Sequence, residues 1–327
     1  MTSRQRGERV EWKDNEVILG HHRTRETFGV LRDVNGSSTG ISGVGNGRGD
    51  GGKMLWVLQT DFYSEPGYCR LVDGIERLGL PLVLVKPVPF THRLLPAAAD
   101  TSTSSIAVEQ MPEAEIDANR PIIPMGSYTL ARIGQERGWR PGAMLENLDY
   151  TTWSTAWGVQ RLLNPNAQVC RFQDANFDEE TAFIRPVEDS KSFSGRVFER
   201  GEWRGWKARV LANSQPSDPL NHDTEVLIAA PVAIYTETRC WVVGGELVTV
   251  SGYRRGKQVA YTPGADDEVL SFAAECIASW TPNPAFVLDI AQTPDGCRIV
   301  EVNCLNAAGF YAADTLKLIC ALEEQIW

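Results

Sequence analysis

Residues 286–303 read FVLDIAQTPDGCRIVEVN, two short apolar runs on either side of Pro294-Asp295-Gly296. That tripeptide suits a three-residue hairpin loop, a type I turn followed by a left-handed position that glycine adopts at little cost. If Thr293 pairs with Cys297, Asp289 lies directly opposite Glu301, and Asn303 follows two positions later on the same face. Phe286, Leu288, Ile290, Val300 and Val302 are then expected on the other, packed face. Two carboxylates carried on Cβ atoms about 5 Å apart repel each other unless a cation lies between them. A hard divalent ion such as Mg²⁺ takes carboxylate oxygens and keeps positions open for phosphate, so Asp289, Glu301 and Asn303 are the candidate metal ligands. On these residues alone the alternative is an edge hairpin with solvated polar side chains.

The 327 residues and 43% hydrophobic content around this hairpin allow a substantial core and two domains or more. No run approaches the ~20 apolar residues of a membrane span, and MTSRQRGERVEWKD lacks the apolar stretch of a secretory signal. A cytoplasmic protein with no membrane partner is expected. The seven cysteines are odd in number and contain no C-x-x-C pair, which argues for reduced thiols and against zinc. Residues 1–53 carry nine Lys/Arg against seven Asp/Glu, and the remainder carries 23 against 35. A body with that acidic excess is a poor binder of nucleic acid overall, although a local basic groove stays open.

Residues 1–53 read as an N-terminal extension whose end, NGSSTGISGVGNGRGDGG (35–52), has the composition of a flexible linker. Gly47, Gly49 and Gly52 satisfy G-x-G-x-x-G, but the match precedes a strand and no helix opens after it, so it is no dinucleotide fingerprint. A buried-type strand at 54–58, an amphipathic helix at 68–79 and a strand at 81–85 form a βαβ unit. A strand at 121–125, a helix to Gln135 and a helix at 149–163 complete a small α/β domain, residues 54–165. From 166 to 327 antiparallel strands are expected instead, at 181–186, 196–200, 206–211, 225–230, 234–243 and 246–253, with a hairpin turn at Gly244-Gly245 and a closing helix at 314–326.

The second half collects cations. Arg185 ends a strand and opens onto VEDSKSFSG, a polar loop centred on Lys191 and closing at Gly195. A guanidinium at a strand end with a lysine on a Gly/Ser loop suits a polyphosphate, and equally describes a surface hairpin with a solvated lysine. Lys207, read on the next strand, adds a third cation or lies over Trp203 and Trp206. Glu237 and Arg239 share a strand face and could take ribose hydroxyls and a phosphate, or form a surface ion pair. Arg254, near the same rim, suits a carboxylate or oxyanion, or is simply solvated. The four histidines are too dispersed for a metal or Ser-His-Asp site, and no G-x-S-x-G occurs.

In this order, a strand-end Arg185-Pro186, a loop to Gly195, the run EVLIAA at 225–230, Glu237-x-Arg239 before an apolar hairpin, and Asp289 with Glu301-x-Asn303 resemble the ATP-grasp superfamily over about residues 165–327. Arg185, where most members have lysine, is in keeping with the clade named for an arginine and two lysines. The resemblance implies an α/β pre-ATP-grasp domain followed by two α+β subdomains whose antiparallel sheets sandwich a nucleotide. It implies ATP and Mg²⁺ (or Mn²⁺) as cofactors, with adenine at the hinge near Ala229 and Ala230. Arg185 and Lys191, with Lys207, would hold phosphates, and Arg239 and Arg254 would position the carboxylate and phosphoryl group. The implied reaction is carboxylate–amine ligation through an acyl phosphate, on small-molecule or peptide carboxylates and amines. A phosphotransferase or a non-catalytic nucleotide-binding module remains the alternative. A homodimer is the base-rate expectation for quaternary structure.

Overall fold

The computed structural model describes residues 52–62, 65–88, 91–98, 110–188 and 192–325; Lys191 and most of the N-terminal extension therefore lie outside the described residues. The run LWVLQ forms β1 (Leu55–Gln59), buried along its whole length, as suits a strand covered on both faces. It lies between β2 (Leu82–Pro87) and β4 (Ile122–Met125), both parallel to it, and β3 (Leu94–Pro96) pairs antiparallel to β2 at the edge. The crossover helix α1 (Pro66–Arg77) starts with proline in its first turn, where a missing N–H costs nothing. In α2 (Tyr128–Glu136) the Ser127 side chain caps the N-terminus by accepting from the Leu130 amide. In α3 (Tyr150–Trp157) Asp149 does the same for Thr152, and Gly158 ends the helix with φ 79°, five residues before the expected end.

A second, antiparallel sheet has the order β5 (Gln168–Arg171), β8 (Glu225–Ala229), β6 (Thr181–Pro186), β7 (Arg196–Glu199). The strand expected at 206–211 is instead part of α4 (Arg200–Asn213). Trp203, Trp206 and Val210 recur at three- and four-residue spacing, a helical period, and pack on Phe172 and Phe198. Lys207 consequently sits on a helix, and its ammonium donates to Gln173 O, Ala175 O and Asn176 Oδ1.

The third sheet is wholly antiparallel, in the order β11 (Gln258–Pro263), β10 (Glu246–Arg255), β9 (Thr236–Val243), β12 (Ala285–Thr293), β13 (Gly296–Asn303). Both of its faces are covered, which is why β9 and β12 read as near-continuous apolar runs. On one face Trp241, Val243, Ala285 and Val287 pack with Trp56, Leu58 and Leu71 from the first sheet and α1, and with Leu318 and Leu322 of the C-terminal helix Thr315–Glu324. On the other, Cys240, Val242, Phe286 and Leu288 meet Trp153 and Trp157 of α3 and the helix Asp267–Ser279. Among the described residues no helix is long and apolar enough to cross a membrane.

The β12–β13 hairpin departs from the expected pairing and then returns to it. Thr293 lies opposite Gly296, not Cys297, with Gly296 at φ 93°. The register then shifts between Ile290↔Ile299 and Asp289↔Glu301, leaving Val300 as the extra residue of a bulge. The two offsets cancel, so Asp289 does face Glu301. Val300, expected in the core, instead lines the cavity described next.

Candidate functional site

Three arginines and four carboxylates line a cavity of about 540 Å³ walled by the second and third sheets, the fourth acid being Glu188 just past β6. Arg185 comes from β6, Glu237 and Arg239 from β9, Arg254 from β10, Asp289 from β12 and Glu301 from β13. Strand alternation aims these side chains inward: Arg239 and Asp289 continue the face whose inner positions, Trp241 and Val287, are core. Among the described residues, three of the acids are paired with arginines. Arg185 Nη1 donates to Glu301 Oε2 at 2.8 Å, Arg239 Nε and Nη2 donate to Asp289 Oδ1 and Oδ2 at 2.9 and 2.7 Å, and Arg254 Nη1 donates to Glu237 Oε1 at 2.8 Å.

A hydrogen-bonded and aromatic shell holds the pairs. The Asn303 amide donates to Asp289 Oδ2 at 3.2 Å and to Glu301 Oε1 at 3.0 Å, tying the two carboxylates together. The Tyr253 hydroxyl donates to Glu237 Oε2 at 2.6 Å. The Tyr311 ring stacks on Tyr253 and Tyr261 at centroid distances of 5.2 and 5.0 Å, and the Arg239 guanidinium lies 4.9 Å from the Tyr311 centroid. Burial pushes the Asp289 carboxyl up to about 6 even though Arg239 opposes the rise. Burial also works against the charge on Arg239, but Asp289 beside it prevails and keeps the guanidinium protonated. At neutral pH the pair is ionised. Burial, then the charges of Asp289 and Glu237, raises the Tyr253 phenol, so it remains a donor.

The donor set suits a hard cation. Asp289, Glu301 and Asn303 can ligate only through oxygens; Asp289 Oδ2 accepts from both Arg239 and Asn303, while Oδ1 accepts one hydrogen bond among the described residues and keeps a further lone pair. Among the described residues no group of three His, Cys, Asp or Glu is arranged as a metal site, so any divalent ion here would rely on this pair of acids and an amide.

Other residues singled out in the sequence fall elsewhere. Lys207 is not on the cavity wall, and neither are Ala229, buried at the end of β8, or Ala230 just beyond it, exposed. Arg254 is on the wall, with its side chain about half exposed. Tyr261 was not singled out in the sequence, and Asn306 and Tyr311 bound a loop whose sequence carries no recognisable code. Tyr261 alternates with Val259 on β11, a period-2 signal that was readable. Tyr311, at φ 48° in a loop, carries no period. Asn306 is buried three residues past Asn303; its Nδ2 donates to Pro124 O and Gly142 O, and its Oδ1 accepts from the Met144 amide, fastening the first sheet to the acidic hairpin.

Comparison with known proteins agrees with this architecture. Residues 97–322 match a family of ATP-grasp domains, family 3 of the clade named for an arginine and two lysines. Among solved structures, a RimK domain ATP-grasp protein from Sphaerobacter thermophilus DSM 20745 shares 16% identity, over 82% of this chain and 100% of its own, with a TM-score of 0.51. A D-alanine–D-alanine ligase from Bacillus anthracis shares 11% identity, over 83% of this chain and 97% of its own, with a TM-score of 0.51. A D-cycloserine synthetase, DcsG, shares 14% identity over 83% of this chain and 99% of its own, with a TM-score of 0.50. At these identities the likeness concerns the fold. No curated protein matches the sequence.

Proposed function

The chain belongs to family 3 of the arginine-and-two-lysines clade of ATP-grasp domains, and from that premise we propose that it is an ATP- and Mg²⁺-dependent ligase joining a carboxylate to an amine through an acyl phosphate. The observation that carries this reading is the set of three guanidinium–carboxylate pairs lining one cavity, Arg185–Glu301 between the two sheets and Arg239–Asp289 and Arg254–Glu237 within the third. A triphosphate and a carboxylate substrate are anions that need guanidinium forks, while their counter-cation needs carboxylates; both are present within one cavity. That a D-cycloserine synthetase and a D-alanine–D-alanine ligase share the fold is in keeping with it.

In this mechanism Arg185 grips phosphate oxygens from the second sheet, a role the resemblance also assigns to Lys191. Asp289, Glu301 and Asn303 would hold the divalent ion, which when bound screens the charge between phosphates as the bond to the γ-phosphoryl group breaks. Arg239, fixed by Asp289 and the tyrosines, and Arg254 at the rim orient the carboxylate for in-line attack, where position determines rate. The amine then attacks the acyl carbon and inorganic phosphate leaves. Glu237, clamped by Tyr253 and Arg254, is placed for ribose hydroxyls.

The test is ADP release by the purified protein with ATP and Mg²⁺ against pools of amino acids, peptides and polyamines. A ligase releases ADP only when carboxylate and amine are both present. ADP release onto a hydroxyl acceptor with no amine would make the protein a phosphotransferase, and absence of ATP binding with Mg²⁺ would sink both.

A further inference from the structure

Arg185 and Arg239 hold their acids in different ways. Arg239 uses three nitrogens, two on Asp289 and Nη1 on Gly309 O at 3.4 Å, and tyrosine rings face it. Arg185, on the opposite sheet, makes one side-chain hydrogen bond among the described residues, to Glu301, although its side chain is only 12% exposed. Its Nε is buried with no acceptor among those residues. A guanidinium carries five N–H donors, and a buried donor without an acceptor costs free energy. The Trp153 ring 5.7 Å away offers a π face but no lone pair. Arg185 therefore keeps hydrogen-bonding capacity in reserve beside the cavity, while its partner Glu301 is about a third exposed and reachable.

We propose that Glu301, besides serving as a metal ligand, is a positioning residue that latches Arg185 in the nucleotide-free protein. The inference rests on the reading of the cavity as a nucleoside triphosphate site. On binding, Arg185 leaves Glu301 for phosphate oxygens, which can fill several of its donors at once, and Glu301 turns to the divalent ion that accompanies them. The exchange is balanced: one guanidinium–carboxylate pair becomes a guanidinium–phosphate and a cation–carboxylate pair. Nucleotide without a divalent ion must instead compete with Glu301 for Arg185 and face its uncompensated charge. The latch thus makes the site selective for the metal–nucleotide complex over free nucleotide, and the same carboxylate both sets and releases it.

The test is ATP affinity by calorimetry in excess EDTA, for the wild type, Glu301→Gln, Arg185→Met and the double variant, with melting curves to establish folding. Glu301→Gln is expected to bind metal-free ATP about tenfold more tightly than the wild type, and this gain disappears in the Arg185→Met background. Glu301→Asp, which keeps the charge but withdraws the oxygens from Arg185, is expected to show part of the gain, so a result is available even where the glutamine variant folds poorly. An unchanged or weaker affinity in Glu301→Gln overturns the latch. So does an equal gain with and without Arg185, or in Asp289→Asn, because mere loss of negative charge then explains it. If the wild type fails to bind ATP with Mg²⁺ present, it is the nucleotide reading that fails, and the latch with it.

Discussion

Arg239 and Asp289 are direct cross-strand partners in the β9–β12 register, joined by two parallel hydrogen bonds of 2.9 and 2.7 Å with both side chains buried. The carboxyl rises from 3.8 to about 6 by burial, and this has a consequence for stability. Between about pH 4 and pH 6 the folded chain holds a proton on Asp289 that the unfolded chain has released, so this group's contribution is present below pH 4 and lost as pH rises through 6. The span is worth about 3 kcal/mol at most. Comparing unfolding free energies of the wild type and Asp289→Asn from pH 4 to 7 isolates it: the wild type should lose stability relative to the variant as pH rises. A difference that is flat, or a wild type that gains on the variant with rising pH, would mean that the carboxyl is not raised.

Asn306 should be among the positions least tolerant of substitution. Asn306→Ala removes both donors and the acceptor from buried backbone groups of Pro124, Gly142 and Met144, at a cost of about 2–4 kcal/mol. Asn306→Asp should be worse at pH 7, because a carboxylate oxygen would face the two carbonyls that Nδ2 now serves. Urea unfolding of both variants checks the order, and an aspartate variant as stable as the wild type would mean that the two hydrogen bonds from Nδ2 contribute nothing measurable.

Gly195→Ala should weaken ATP binding. A Cβ at Gly195 would come within 2.8 Å of Arg185 Cβ and 3.1 Å of the Phe183 ring, so either the loop or Arg185 must shift. A several-fold rise in the ATP dissociation constant, with a melting temperature near that of the wild type, is expected from calorimetry.

Trp203→Ala should destabilise the fold by about 3–5 kcal/mol. The indole is fully buried between Phe172, Phe198 and Trp206, and its Nε1–H donates to Ala175 O at 2.9 Å. The urea midpoint measures it. A loss under about 1 kcal/mol, the size of an ordinary surface change, would show that α4 is not anchored through this residue.

The βαβ unit of β1, α1 and β2 and the apolar strands β9 and β12 were legible because each follows from local periodicity, whereas Asp289 faces Glu301 as expected only because two one-residue offsets cancel. The offset at Gly296 and the bulge at Val300 were not legible, since a one-residue register shift leaves the apolar pattern nearly unchanged until tertiary packing selects it. The strand reading at 206–211 went astray for the converse reason: a short apolar run fits either period, and the helix is decided by Trp203 finding Phe172 and Phe198.

By itself the sequence determined which residue types are available at strand positions of the acidic hairpin and the Glu237-x-Arg239 strand, because side chains alternate along any strand. Only the tertiary structure decided who pairs with whom. Arg185 meets Glu301 across 116 residues and Arg239 meets Asp289 across 50. Tyr311 and Asn306 acquire their partners from loops with no period of their own. A charge's partner is set by desolvation and by whichever strands the cores bring together, and neither quantity is written in the spacing of residues along one chain segment.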